Sequence, residues 1–403
     1  MLGWELPPHN SGGLGVACYF LSKSLAAQGA EIDFIVPYVA EHNISFMNIL
    51  SATHLDPLYK FGMGAYDTSF IEAINFNHKD PGEIRSIRDI QRLYCDYVVR
   101  YLEDNKPETV HAHDWLTFEA GILAKRLHGI PFIAHVHATE FDRSGADGGN
   151  PVIHEIEYHG LCEADHIVAV SQATKDIIVS RYNIPAEKID VVYNGFDAEA
   201  YDKEKYQYDE STLHYLEHMK SQGYTIISTV GRFTIQKGMT YLVRAAARAI
   251  QSHDKLIFLF AGDGEQRDEL IRLAADLGIV DKVIFTGFIR GKQLRDIYSA
   301  SDVFVMSSVS EPFGLTALEA AHHGNALIIT KQSGVGEILG SIFRYDYWDI
   351  DTLADEIINV AKSPVLLSVL QDNIQREYTN ITWDDVAHKC FTAYNKAMNP
   401  GGK

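Results

Sequence analysis

Two short stretches in the second half of this chain combine charged side chains with the glycines of tight turns. ValGlyArgPheThrIleGlnLysGlyMet (230–239) places Arg232 and Lys237 in one loop after a strand-like run. Two fixed cations suit a diphosphate, Arg as a bidentate fork and Lys as a mobile point charge, although a merely solvated basic loop has the same composition. SerGluProPheGlyLeuThrAlaLeuGluAla (310–320) sets Glu311 before a turn shaped by Pro312 and Gly314, with helical character from Leu315 and Glu319 within its first turns. Backbone N–H groups from Phe313 through Gly314 and Leu315 to Thr316 are unpaired at such a helix start and can hold sugar hydroxyls or phosphate oxygens. Glu311 can accept from sugar hydroxyls and Glu319 from a vicinal ribose diol; a glutamate near a helix start can equally be a dipole partner.

In the first half, SerGlyGlyLeuGly (11–15) opens a helix with no side chain in the way of a phosphate or sugar, through Gly13 and Gly15 in particular. A tight strand-to-helix turn would use the same glycines. HisAlaHisAspTrp (111–115) and HisValHisAlaThrGluPheAspArgSerGly (135–145) put His113, Asp114, His137 and Glu140 at or just past strand ends. No helix-borne HExxH occurs and the histidines alternate along strands, so they read as structural rather than zinc-binding. AspIleAsp (349–351) has the spacing of a metal-holding carboxylate pair but precedes a helical run, so it reads as a helix cap. No metal is expected.

The elements that must position these residues alternate. Strand candidates at 32–37, 109–113, 132–137, 166–170 and 189–193, then at 225–230, 256–261, 283–286, 303–306 and 326–330, are separated by helical stretches, which is the signature of parallel sheets covered by helices. Open sheets of this kind bind ligands beyond the carboxyl ends of their strands, where the charged turns lie. The expected organisation is a first doubly wound domain over 1–200, a linker over 201–223 that is rich in charge and Tyr, a second doubly wound domain over 224–380, and a C-terminal helix and tail over 381–403 that cross back to the first. The length of 403 residues accommodates two such cores.

Composition narrows the function classes. Hydrophobic residues make up 46 % and charged residues 22 %, as in ordinary globular proteins, and the net charge of −19 argues against bulk binding to nucleic acid or an anionic membrane. No apolar run approaches the roughly 18 residues of a spanning helix, and the first residues lack a secretory pattern, so no transmembrane segment and a cytoplasmic location are expected. Cys18, Cys95, Cys162 and Cys390 show no CxxC or Cys/His spacing and are expected as buried thiols.

Taken in order, these stretches closely resemble the retaining glycosyltransferases of GT-B fold, especially the glycogen and starch synthase-like members of families four and five. The carriers are residues 3–15, 111–115, 137–145, TyrAsnGlyPheAsp (193–197), 231–238 and 311–319. The resemblance implies two Rossmann-like domains facing across a cleft, no cofactor, and transfer of glucose from ADP-glucose or UDP-glucose to an α-glucan. A hexosyltransferase acting on a small or lipid-linked acceptor is the nearest alternative, and a non-catalytic glycan-binding protein a more distant one. By the same resemblance, Arg232 and Lys237 clamp the donor diphosphate, Glu311 holds the transferred sugar, Glu319 binds the ribose, and His137 stands beside the anomeric carbon. Asp114 falls on the acceptor side, Asn194 matches an interdomain site residue, and the loop from Gly13 to Gly15 faces donor and acceptor. The chain departs from the bacterial ADP-glucose-using synthases at His9-Asn10-Ser11, where those carry a Lys before the glycines, and its first strand is only a few residues long before ProPro.

Overall fold

The computed structural model describes residues 1–9, 12–39, 41–55, 86–145, 148–198 and 210–399, so Asn10 and Ser11 lie outside the described residues. The chain divides into two compact units, Met1–Gly195 with Thr382–Lys403, and Phe196–Ile381.

The first unit is built on parallel strands. β1 (Asp33–Val36) pairs with β2 (Asn48–Ser51), while β3 (Val110–His113), β4 (Phe132–Val136), β5 (His166–Ala169) and β6 (Ile189–Val191) follow one another in order. Leu2 bridges Ile35 of β1 and Ala112 of β3, so the first residues of the chain join the two sets. Strands β3, β4 and β5 are buried along their whole length, as expected where helices cover both faces of a parallel sheet. α1 (Gly13–Ala27), α2 (Ile87–Asp104), α3 (Trp115–His128), α4 (Glu140–Ser144), α5 (Pro151–Glu163) and α6 (Gln172–Tyr182) connect them. Local chemistry sets several boundaries: Ser86 and Asp89 form a capping box on α2, Thr139 and Asp142 another on α4, and Gly129 ends α3 in the left-handed region.

The second unit is a six-stranded parallel sheet. β7 (Thr225–Val230), β8 (Leu256–Ala261), β9 (Val283–Gly287), β10 (Val303–Met306), β11 (Ala326–Thr330) and β12 (Phe343–Tyr345) stand in the spatial order β12-β11-β10-β7-β8-β9. The order runs outward from β7 through β8 and β9, then resumes on its other side with β10, so the direction reverses between β7 and β10. That reversal is the topological switch point of a doubly wound sheet. Its helices are α7 (Glu210–Ser221), α8 (Met239–Ser252), α9 (Arg267–Asp276), α10 (Lys292–Ala300), α11 (Leu315–His322), α12 (Ile350–Lys362) and α13 (Pro364–Tyr378). Asp349 caps α12 by accepting from the Thr352 N–H at 3.0 Å, which is the part given to the 349–351 carboxylates by their sequence context.

Three features depart from expectation. Residues 201–223 were expected as a linker, yet Glu210–Ser221 is α7, and its Leu216, 1 % exposed, packs in one apolar cluster with Ile226 and Ile257 of the second sheet. Residues 201–209 lie outside the described set, and the division between units falls at Gly195 rather than at 200. The short strands β2 and β12 carry no long β-branched run and gave no sequence signal. Among the cysteines, Cys18, Cys95 and Cys390 are buried thiols, but Cys162 is exposed. The last helix, α14 (Trp383–Met398), joins the first unit: Trp383 stacks on Phe20 with centroids 6.0 Å apart, and the Ser24 hydroxyl donates to Asp384 Oδ1 at 2.5 Å.

Candidate functional site

In the second unit the switch point brings two loops into direct contact. Residues 231–238 leave the end of β7 and residues 307–314 leave the end of β10. The Val309 N–H donates to the Gln236 carbonyl at 2.8 Å, Gln236 Nε2 donates to the Ser310 carbonyl at 3.2 Å, and the Ser307 hydroxyl donates to the Lys237 carbonyl at 2.9 Å. Gly238 sits at φ 62°, and a Cβ there would lie 2.1 Å from the Ser307 carbonyl oxygen, so glycine is required both by conformation and by close approach.

This scaffold joins Lys237 to Glu311. Lys237 Nζ lies 2.5 Å from Glu311 Oε2, and the same oxygen accepts from the Ser308 hydroxyl at 2.9 Å. The pair is partly sheltered, with side-chain exposures of 21 % and 12 %. Arg232 begins the same loop and is exposed. Beyond Glu311 the chain turns through Phe313, whose carbonyl accepts from Val335 N–H at 2.7 Å, to Gly314, the N-cap of α11 at φ 109°. The N–H groups of Leu315 and Thr316 open the helix with no intrahelical acceptor, and no acidic side chain occupies the first turn. Glu319 lies one turn further on. Its Oε2 accepts from the Tyr298 hydroxyl at 2.9 Å, and desolvation pushes its carboxyl upward against the opposing effects of Tyr298 and Arg295.

The first unit holds a second group of polar side chains. Parallel pairing of β3 with β4 sets His113 opposite His135, with His111 two residues before the one and His137 two residues after the other. His111 Nε2 faces His135 Nδ1 at 3.0 Å and His113 Nδ1 faces His137 Nε2 at 3.0 Å. The two pairs stack: His111 on His113 at 4.4 Å and His135 on His137 at 4.1 Å between centroids. All four histidines are buried, and desolvation holds His137 down to about 3 and the others well below the usual imidazole range. Asp114 follows β3 at φ 58°, a conformation L-residues seldom adopt, and its Oδ1 accepts from the backbone N–H of His137 at 2.7 Å. Its Oδ2 is buried and has no partner among the described residues, and burial pushes the carboxyl up to about 7.

Ligand atoms of Cys18, His113 and His137 lie within 4.8 Å of one another, as do those of His111, His113 and His135, so both triads have donor types suited to a divalent metal. In the present arrangement, however, His113 Nδ1 and His137 Nε2 face each other across one N–H, so they do not both aim a lone pair at a shared point.

The structure thus joins Lys237 with Glu311, and His137 with Asp114. Gly13 and Gly15 lie in the first turn of α1, whose N-cap is Gly12, and a Cβ on Gly13 would meet nothing within 4 Å. Asn194 is buried after β6. Several residues were missed by sequence reasoning. Glu5 is buried, with Oε2 only 2.9 Å from where a Gly12 Cβ would stand. Arg143 donates to the Ala138 carbonyl at 3.0 Å, pairs with Glu140 at 3.0 Å, and bonds to Glu157, which holds the 138–145 turn in place. Only the tertiary fold brings Glu157 and Tyr298 to these places; Glu5 and Arg143 lay within stretches already noted, 3–15 and 135–145, and that was the usable signal.

Two family models match: residues 11–200 match Glycosyltransferase Family 4, and residues 217–377 match Glycosyl transferases group 1. An uncharacterised glycosyltransferase of Methanocaldococcus jannaschii is 29 % identical over 426 residues, covering 100 % of this chain and 99 % of that protein. A glycogen synthase of Mycobacterium tuberculosis is 27 % identical over 352 residues, covering 84 % and 78 %. Among solved structures, sucrose-phosphate synthase from Thermosynechococcus elongatus superposes with a TM-score of 0.74 at 18 % identity over 99 % of this chain and 96 % of its own. Anabaena HepE, in complex with UDP and glucose, does so at 0.70 and 16 %, covering 98 % and 99 %. These likenesses, with the two Rossmann-like units described above, make the chain a glycosyltransferase of GT-B fold, related to glycogen synthase and other sugar transferases.

Proposed function

We propose that this protein transfers glucose from a nucleoside diphosphate glucose, ADP-glucose or UDP-glucose, to the non-reducing end of an α-glucan, with retention of the anomeric configuration and without a metal. The observation that carries the reading is the Lys237–Glu311 pair held by two interlocked loops at the switch point of the second sheet.

The chemistry follows from those charges. Cleavage of the bond from C1 to the phosphate oxygen builds negative charge on the departing diphosphate and positive charge on the sugar. Fixed cations in a water-poor site are worth several kcal/mol to such a transition state. Lys237 supplies a mobile ammonium and Arg232 a guanidinium fork for the diphosphate. Glu311, released from Lys237 when phosphate takes its place, accepts from hydroxyls of the transferred glucose. The N–H groups of Gly314, Leu315 and Thr316, with the dipole of α11, favour anionic or hydroxyl oxygens, and Phe313 fixes the approach to them. Glu319 accepts from the ribose diol. In the first unit, His137 meets the sugar near C1, Asp114 and the N-terminal turn of α1 at Gly13 and Gly15 serve the acceptor side, and Asn194 completes the site. The acceptor oxygen forms the new bond to C1 on the face the phosphate leaves, and its proton passes to the departing phosphate oxygen.

A small acceptor is the second reading, favoured by the likeness to sucrose-phosphate synthase. The test is nucleotide release from ADP-, UDP- and GDP-hexoses in EDTA, with and without maltooligosaccharide, with product linkage read by NMR. We expect release to depend on maltooligosaccharide and an α-linked product. Lys237→Ala and Glu311→Ala should each lower kcat/KM by about 10²-fold or more. Release that ignores maltooligosaccharide but responds to a small sugar or sugar phosphate would replace the glucan reading with the second one.

A further inference from the structure

His113 and His137 share a single N–H between Nδ1 of the first and Nε2 of the second, 3.0 Å apart. Burial keeps both rings neutral, so each carries one proton, and two arrangements exist. With the shared proton on His137 Nε2, the remaining proton of His113 sits on its Nε2. That atom is buried, in a side chain with no exposure, and has no partner among the described residues. A buried N–H without an acceptor forfeits a full hydrogen bond and is rare in folded proteins. With the shared proton on His113 Nδ1, the atom left over is instead a lone pair. Cys18 is near the histidine pair: one ligand atom each of Cys18, His113 and His137 falls within 4.8 Å of the others. Burial, with Asp114 and Glu5, keeps the thiol protonated, and a thiol is a weak donor that tolerates a lone pair as neighbour.

Both rings are packed against aromatic neighbours. His113 stacks on His111 and faces Phe34 at 6.3 Å, while His137 stacks on His135 and its own backbone N–H is held by Asp114. We infer that His113 is a positioning residue that locks His137 in the Nδ1–H tautomer, so that His137 presents a donor, not an acceptor, to an oxygen of the transferred sugar. This rests on the proposed reading that His137 meets the sugar. A fixed donor matches a hydroxyl oxygen of the sugar, which accepts through its lone pairs, and a ring whose other nitrogen already accepts from His113 cannot serve as a general base.

The tautomer is read directly from protein carrying 15N-labelled histidine, in two-bond nitrogen–proton correlation spectra, with the His137 signals identified by their loss in His137→Gln. The wild type should show a neutral ring protonated at Nδ1. His113→Leu removes the lock, whereas His113→Asn places an amide N–H near the position of Nδ1. We expect the leucine variant to show mixed tautomers and to lose about tenfold or more in kcat with little change in donor KM. The asparagine variant should keep the Nδ1–H pattern and recover most of kcat. An Nε2–H pattern in the wild type overturns the inference, as does an unchanged kcat in His113→Leu with mixed tautomers. Full activity in His137→Gln overturns the contact with sugar while leaving the transfer reaction standing. Absence of nucleotide release from any donor refutes the transfer reading, and the tautomer spectrum still reports on the lock.

Discussion

Asp114 and the four histidines beside it show how burial alone reshapes titration. Desolvation, opposed by Arg143 and by the N–H groups of His137 and Ala138, pushes Asp114 up to about 7 from 3.8. Between those values the folded chain holds a proton that the unfolded chain has released, so this group's contribution to stability falls as pH rises through that window. The histidines run the other way. With His137 held down to about 3 and the rest well below 6.5, the unfolded chain binds protons that the folded one refuses. Their contribution is complete above 6.5 and is lost as pH falls toward their folded values. Each such proton changes stability by about 1.4 kcal/mol per pH unit, and four histidines outweigh one carboxyl, so the first unit should weaken on acidification. Asp114→Asn keeps an oxygen for the His137 N–H but removes the opposing titration. It should therefore steepen the loss of stability below 6.5 and raise stability above 7, as measured by urea midpoints across that range. An unaltered profile would mean that Asp114 is ionised throughout.

At the scale of elements, the second unit depends on two turns meeting backbone to backbone. Gly238 is the tightest point, with a left-handed φ and the Ser307 carbonyl where a side chain would begin. Gly238→Ala adds about 1–2 kcal/mol of conformational strain and a clash that must push residues 231–238 away from 307–314. Because Lys237 and Glu311 sit on opposite sides of that contact, the substitution should lower Tm and reduce kcat/KM by at least about tenfold. Kinetics and a thermal melt on the same preparation check it. A melt that shifts while kcat/KM stays constant would show that the loop contact serves stability only.

For the whole molecule, the return of the last helix decides where stability is shared. α14 begins at Trp383, 6 % exposed, and its buried face of Val386, Ala387, Cys390, Ala393 and Tyr394 joins the core of the first unit. Tyr394 also reaches His111 Nδ1 with its hydroxyl at 2.7 Å, tying the chain end to the histidine block. Trp383→Ala removes a large buried side chain, at a cost of about 3–5 kcal/mol. Hydrogen exchange should then quicken in α1 and β5 while β7, β8 and β10 keep their protection. Faster exchange in both units alike would show that they unfold as one.

Read as a sequence, the chain already determined its class, ten of the twelve strands among the described residues and the turns that carry Arg232, Lys237, Glu311 and Glu319. Those features are local: β-branched runs, glycines and prolines at turns, and a helix start after Pro312 and Gly314 act within a few residues. The helix over Glu210–Ser221 stayed hidden because its support is Leu216 against Ile226 and Ile257, which is tertiary. Pairing of Lys237 with Glu311, across 74 residues, needed the strand order that reverses between β7 and β10. The tautomer-setting contact of His113 with His137 needed the parallel register of β3 and β4. Which charges meet, and which imidazole proton faces the site, depends on chain segments far apart in sequence, and only packing brings those together.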